Sequence, residues 1–427
     1  MDRKNNQHTQ RQQPTTMPIL RYVIGIGMLV ILLFWTENVA QASTTHADTL
    51  MIPLEQPTTT STSRIHYVES NGDCGGVAPC YDTIQASVNA SIAGDTIKIA
   101  QGTYTTLGLT VVYVTKGITL TGGYTNTNWD VAYPVTQTAV IDAENAPRRR
   151  GIYIDASNVS TVTLTGLTIQ RGNANDRGAG IYSNYSHVVL RNNQILSNTT
   201  AYGGGIYAIR GSLSLYENLF LNNSGSYGGG IYANSSSTTM HHNTFQNNSG
   251  NDGAGIYLIH GIATLIDNIF EGNTGRTGGG IYLDGKSSSF LLKDNLFENN
   301  SASYGGAMSS AENGMTLINN TFRNNSASQL GGGMYLYKSH PTLYKNYYLN
   351  NSAQSGGGIH GFIIGEMTMI KNVIMDNRAE QYGGGIVISG STGSIVRAEN
   401  DIIANNSAIN EGIYVASGSV IASHGFG

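Results

Sequence analysis

A five-residue unit, Gly-Gly-Gly-Ile-Tyr or a close variant, recurs along the chain. It places Ile181, Ile206, Ile231, Ile256, Ile281, Met308, Met334, Ile359, Ile386 and Ile413 at intervals of 25 to 27 residues. Between them runs a second unit, Asn-x-Phe-x-x-Asn, seen as Asn218/Phe220/Asn223, Asn243/Phe245/Asn248, Asn268/Phe270/Asn273, Asn295/Phe297/Asn300 and Asn320/Phe322/Asn325. It weakens to Tyr348, Ile374 and Ile402 while keeping its asparagines. A fixed period has to be matched to a unit that one repeat can build. Helical pairs fail, because glycine triplets and β-formers would break each helix. Propeller blades need roughly 40 residues, and leucine-rich repeats need Leu at offsets that this chain lacks. What remains is a coil of short strands joined by turns, each coil stacked on the last.

Alternation along Gly228 to Ala233 points Ile231 inward and Tyr232 outward, and Asn218 shares parity with Phe220. Stacking at the ~4.8 Å strand spacing turns each repeated residue into a ladder along the axis. Phe220, Phe245, Phe270, Phe297 and Phe322 then form an internal aromatic stack beside the Ile column. Asn218, Asn243, Asn268, Asn295 and Asn320 form a ladder that satisfies turn amides from coil to coil. About thirteen coils would make a rod of roughly 60 Å. Composition agrees with a large ordered structure: 12% of residues are charged and Pro numbers only 8, so neither a collagen-like nor a Pro-rich disordered chain fits. A net charge of -4 without a long basic run lacks the footprint of a nucleic-acid binder.

The chain divides into four segments. Residues 1–42 read as a signal peptide, with Arg3, Lys4, Arg11 and Arg21 before the uncharged run Tyr22 to Trp35 and a small-x-small site at Ala40-Gln41-Ala42. Membrane contact is expected only through this signal. Residues 43–64 are a Ser/Thr-rich linker. Residues 65–150 hold an N-terminal cap and the first coils, and residues 151–427 the repetitive coils. In the cap, Asp82 can begin a short helix with Gln85 three residues later, Ile84, Val88 and Ile92 mark one face, and Gly94 ends it. Export gives the two cysteines meaning. Cys74 and Cys80 read as one short disulfide, since a redox or zinc motif would need closer spacing or more ligands.

The alternation of Gly-Gly-Gly-Ile with Asn-x-Phe-x-x-Asn from Gly178 to Tyr414 resembles the repeat of the polymorphic outer membrane proteins, surface proteins with a pectin-lyase-like fold. Thr83-Ile84-Gln85 through Gly94-Asp95-Thr96 to Gly102-Thr103-Tyr104 is similar to the cap and first coil of exported bacterial β-helix proteins. The resemblance implies an all-β, right-handed parallel β-helix solenoid of about 25-residue coils with a short N-terminal capping helix. It also implies an adhesin at the cell surface, in the outer membrane or cell envelope. It is specific for architecture and not for activity. Members of that family end in a membrane barrel, whereas this sequence stops at Ser423-His424-Gly425-Phe426-Gly427, midway through a coil. A missing segment or a partner is expected at that open end.

Catalytic motifs of enzymes with this fold are absent from the sequence. The polygalacturonase-like Asn-Thr-Asp, Asp-Asp, Gly-His-Gly and Arg-Ile-Lys do not occur, and His260-Gly261 and His424-Gly425 keep only half of the histidine motif. The pectate-lyase-like Arg-x-Pro-x-x-Arg is also missing. One calcium site can be drawn from Asp267, Glu271, Asp294 and Glu298, because the register sets Asp267 below Asp294 and Glu271 below Glu298. Arg323, one coil on, could then hold a substrate carboxylate. The alternative is a surface where Lys293 and Arg323 balance the acids. A tyrosine column, Tyr182, Tyr207, Tyr232, Tyr257 and Tyr282 with Tyr335 and Tyr414, could be a platform for sugar rings or a brace between strands. His241-His242 reads as surface, and the Asn-x-Ser/Thr strings follow from the ladder.

The expectation is an exported β-helix without catalytic residues, serving surface display, adhesion or glycan binding, with a glycan or host-surface component as partner. No cofactor is expected beyond the one candidate Ca²⁺. The alternatives are a lyase or hydrolase acting on acidic polysaccharide, and a passive envelope stalk.

Overall fold

The structure, a computed structural model, describes residues 62–157, 160–286, 288–390 and 394–409, with the backbone of Ile413–Val415 and Val420–His424. The expected signal peptide and nearly all of the expected linker lie outside these residues.

One coil shows how the repeat folds. His187–Arg191 lies on a first face, Gln194–Leu196 on a second and Thr199–Tyr202 at a corner. After Gly203-Gly204-Gly205, Ile206–Ile209 lies on a third face, and Ser212–Tyr216 returns to the first. Equivalent strands pair in parallel: Leu190 sits under Leu215, Ile195 under Phe220 and Ile206 under Ile231. Repetition builds a 15-stranded and two 12-stranded sheets, with three- and four-stranded sheets along the corner. This is the all-β parallel solenoid that the period demands.

Four left-handed residues close each coil from Gly166 to Gly390. In the coil after His187 they are Asn192, Ser197, Gly203 and Arg210, with φ of 54°, 53°, 64° and 51°. Asparagine tolerates this region better than most residues, which explains the Asn-Asn pairs. In Asn247-Asn248 the first residue takes φ +53° and faces solvent, while the second is 1% exposed and joins a ladder. The corner before the third face needs more than a left-handed residue. Gly228 has φ +65°, and a Cβ on Gly229 would stand 2.3 Å from the Ser249 carbonyl oxygen. Glycine fits both, and the second position also accepts the small Ala254 one coil on, which is fully buried.

The interior is apolar in columns. Phe220, Phe245, Phe270, Phe297, Phe322 and Tyr348 are fully buried, and their rings stack at 4.6 to 4.9 Å. The column continues through Ile374 to Ile403. Ile402, which the motif count sets in this column, faces out and is 47% exposed. The slip has a definite cause. The residue in the ladder position of that coil is Asp401, so counting from Asn400 shifts the register by one.

The asparagine ladders satisfy the turns. Asn243 Nδ2 donates to the Leu215 carbonyl at 3.0 Å and to Asn268 Oδ1 at 3.0 Å, while its own Oδ1 accepts from Asn218 N at 3.0 Å and Asn218 Nδ2 at 2.9 Å. A second ladder runs through Asn198, Asn223, Asn248, Asn273, Asn300, Asn325, Asn351, Asn377 and Asn406. Buried main-chain N–H groups at two corners are thereby paired, as burial requires.

A short helix, α1 (Ile84–Ala90), covers the first coil by packing on the strands Thr110–Val114, Ile65–Val68 and Thr96–Ala100. Its cap is Thr83, whose Oγ1 accepts from Ala86 N at 3.2 Å, and not Asp82. A hydroxyl at the residue directly before the first turn reaches that N–H; Asp82 is one residue too early. Ile84 and Val88 are buried, but the helix ends before Ile92, which is 40% exposed. Ser91 closes it and Gly94, at φ +92°, donates to the Gly117 carbonyl in the turn beyond. Cys74 and Cys80 form a disulfide beside this cap, with their Cα atoms 5.8 Å apart.

Candidate functional site

The four carboxylates expected to bracket calcium do not converge. Asp267 and Asp294 are left-handed corner residues, and Glu271 and Glu298 lie side by side on the second face. Each is engaged locally: Asp267 lies 3.6 Å from His242, Glu271 accepts from Gln246 at 3.2 Å, and Asp294 accepts from Asn319 at 2.6 Å and lies 3.3 Å from Lys293. Arg323 grips Glu298 with two N–H groups at 2.6 and 2.7 Å. That donor fork holds the Glu298 carboxyl below its ordinary range. Among the described residues no group of three or more His, Cys, Asp or Glu side chains is arranged to hold a metal ion.

The tyrosine column is a packed element. Tyr153, Tyr182, Tyr207 and Tyr232 stack at 4.7 to 5.2 Å, with interplanar angles of 2° to 24°. Tyr257 and Tyr282 continue the column at 5.2 and 5.0 Å. Tyr207, Tyr232 and Tyr257 are only 3 to 8% exposed, so their faces are taken by one another and by Tyr202 and Tyr227 at the corner. Arg150 lies 5.1 Å over Tyr182, and Arg177 lies 5.3 Å over Tyr207. Burial raises the hydroxyls of Tyr207, Tyr232, Tyr257 and Tyr282. The column breaks at Ser309 and resumes at Tyr335, followed by His360 and Val387. Tyr414 contributes backbone only to the described structure. His241 stacks on Tyr216 at 5.7 Å, and His242 is exposed.

An open groove of about 480 Å³ lies on the corner next to these tyrosines. Three successive triplets line it, Ser224-Gly225-Ser226, Ser249-Gly250-Asn251 and Thr274-Gly275-Arg276, and Ser303 extends it. The glycine position holds Thr200 in the coil before and Ala302 in the coil after. The outward residues of these triplets line the groove with hydroxyl, amide and guanidinium groups. At its rim Arg276 binds Asp252 at 2.8 Å. Beside it, Tyr257 donates to Asp284 at 3.2 Å. The charges of Asp284 and Asp252 both add to the effect of burial on the Tyr282 hydroxyl, and Arg276 opposes them. The sequence carries a trace of this site, the run of Gly at one repeat position in Gly225, Gly250 and Gly275, which the louder glycine triplets overshadow.

A second, smaller cavity of about 310 Å³ lies at the corner between the third and first faces. Lys286 and Lys338 approach Glu312 there at 3.5 and 3.7 Å, with His340 alongside. These are exposed ion pairs of small energetic worth.

A family profile described as "Right handed beta helix region" matches residues 117–297 and 254–425. No curated protein matches the sequence. Among solved structures the chain is similar to tailspike protein 3 of bacteriophage CBA120, at 9% identity and a TM-score of 0.40, over 87% of this chain and 60% of that one. The chain thus spans 60% of the length of the tailspike chain it matches.

Proposed function

We propose that this chain, which belongs to the right handed beta helix family, is a non-catalytic surface rod that holds a linear glycan along its corner groove. The observation that carries the reading is the groove itself. It crosses successive coils from Ser224 to Ser303, so its length follows the axis, and its walls present hydroxyls, the Asn251 amide and the Arg276 guanidinium. Polar groups spaced along the groove suit a polyhydroxylated chain, and a guanidinium suits a carboxylate on an acidic one. The repeat units support a place among the polymorphic outer membrane proteins, with residues 1–42 as export signal and residues 43–64 as spacer to a cell surface.

Purified protein passed over immobilised acidic and neutral polysaccharides tests this. Retention is expected on at least one polymer, with its length unchanged, and Arg276→Ala with Asn251→Ala should weaken retention about tenfold or more. Equal retention by that double variant would remove the groove from the account.

The same assay distinguishes a second reading, cleavage of the glycan. Shortening of the polymer, lost in Asp252→Asn or Asp284→Asn, would favour it over simple binding.

A further inference from the structure

The ladder at the corner between the first and second faces runs in asparagine from Asn193 to Asn372 and ends, among the described residues, on Asp401. Each asparagine uses its Nδ2 in the same way. Asn346 Nδ2 donates to the Leu317 carbonyl at 2.9 Å and to Asn372 Oδ1 at 3.1 Å, and Asn372 Nδ2 donates to the Leu343 carbonyl at 3.0 Å and to Asp401 Oδ1 at 2.8 Å. Asp401 accepts as a rung should, also taking the Asn372 main-chain N–H on Oδ1 at 2.7 Å. It differs in what it can give back. Its Oδ2 is buried without a hydrogen-bond partner, on a residue 1% exposed.

The register says what that atom meets. Leu317, Leu343 and Met369 are paired neighbours on successive coils, so the Met369 carbonyl stands toward Asp401 as the Leu343 carbonyl stands toward Asn372. An ionised carboxylate has nothing to donate there and would set one buried acceptor against another. A protonated one carries an O–H in the place of the missing N–H.

We infer that Asp401 is a proton-dependent rung: with a proton on Oδ2 it donates to the Met369 carbonyl and closes the ladder as asparagine would, and on losing that proton it loosens its coil. That coil comprises Ile386–Ser389, Ile395–Glu399 and Ile402–Ala404. Around the carboxyl, Glu399 on its own coil is a like charge, and Tyr348 lies inside the solenoid with a buried hydroxyl that also has no partner. Among the described residues the only side chain donating to it is that of Asn372. Burial pushes the carboxyl up, and the Asn372 donors with the Glu399 main chain do not cancel the effect. A raised acid binds its proton better folded than unfolded. The stabilisation is therefore complete below the ordinary value of 3.8 and disappears as pH climbs through the raised value.

Hydrogen-exchange protection of Asn372 and Ile402–Ala404, measured on the full chain and corrected for intrinsic rates from pH 4 to 8, reads this directly. In the native protein protection should fall with pH, by up to about tenfold per unit across the titration. In Asp401→Asn it should be flat and at least as high as the native value at pH 4. Glu399→Gln and Tyr348→Phe should keep the slope. The same slope in Asp401→Asn, or its loss in either of the other two variants, overturns the assignment. As a measurement on the native protein alone, the carbon-13 shift of the Asp401 carboxyl should titrate with a midpoint above the ordinary 3.8. A midpoint at or below that value would equally overturn it.

Discussion

The ring of Phe270 lies 4.7 Å from that of Phe297 and within 6° of parallel. Both rings are fully buried, so each coil depends on its neighbours for contact on two sides. Replacing Phe270 with Ala should destabilise the protein by about 3 to 5 kcal/mol, through lost transfer and the cavity left between Phe245 and Phe297. Phe270→Leu should cost less. Equilibrium denaturation measures both, and a loss below about 1 kcal/mol for Ala would mean that the column collapses to fill the gap.

The two residues of Asn247-Asn248 should respond oppositely to substitution. Asn248→Ala leaves the Asn223 main-chain N–H and amide without their acceptor and the Phe220 carbonyl without a donor. Several kcal/mol is expected, at about 1 to 3 for each orphaned group. Asn247→Gly removes only an exposed side chain from a left-handed corner and should be nearly neutral. Melting curves of the two variants side by side decide whether position within the pair governs the cost.

Acid should attack the N-terminal cap first. Asp95 is 1% exposed and accepts from Arg64 N and Ile92 N, each at 2.8 Å, and lies 2.9 Å from His66 Nε2. Burial raises its carboxyl, but these donors outweigh burial and hold it below the ordinary 3.8. A lowered acid stabilises the fold above its unfolded value and ceases to do so as pH falls through the folded one. Protection around Thr96–Ala100 should therefore be constant from pH 7 to about 4 and then fall, and Asp95→Asn should remove that acid-dependent fall. Asp401 has the opposite sign, so one pH series of exchange data separates the two ends. A native protein whose cap keeps full protection at pH 2 would contradict the prediction for Asp95.

Calcium or a chelator should leave the melting temperature of the native protein unchanged, because Asp267, Glu271, Asp294 and Glu298 each answer to a different neighbour. A rise of several degrees with millimolar Ca²⁺ would mean that these carboxylates regroup around the ion.

The period made most of the fold legible, since a residue recurring every 25 positions has to stack on its own copies. Phe220, Phe245, Phe270, Phe297 and Phe322 could be placed from spacing alone. Ile402 could not, because the rung in its coil is an acid and the nearest asparagine lies one residue earlier. The tyrosines show another limit. Parity sets Tyr232 outward, but its 8% exposure comes from rings on neighbouring coils and across the corner, which no single strand encodes. The groove was harder still. Its polar groups are alternate residues of successive coils, Ser224, Ser249, Asn251, Thr274 and Arg276, and a hydrophobic pattern does not register them. Thr83 and Asp82 are both good caps, and only the helix start decides between them.

The asparagine ladders have a direction. Asn243 gives its main-chain N–H and one amide hydrogen to the rung after it, and its other amide hydrogen is shared between the carbonyls of Leu215 on the coil before and His241 on its own coil. The main-chain donor of a rung is therefore unpaired until the successor arrives, whereas the predecessor both donates to its Oδ1 and offers it a carbonyl. A chain emerging from its N-terminus would always carry the open donors on the newest coil, and each added coil would settle the last while passing the vacancy forward. Growth from the α1 end thus always leaves two donors open at the front, whereas growth from the opposite end would leave only an Oδ1 acceptor open there.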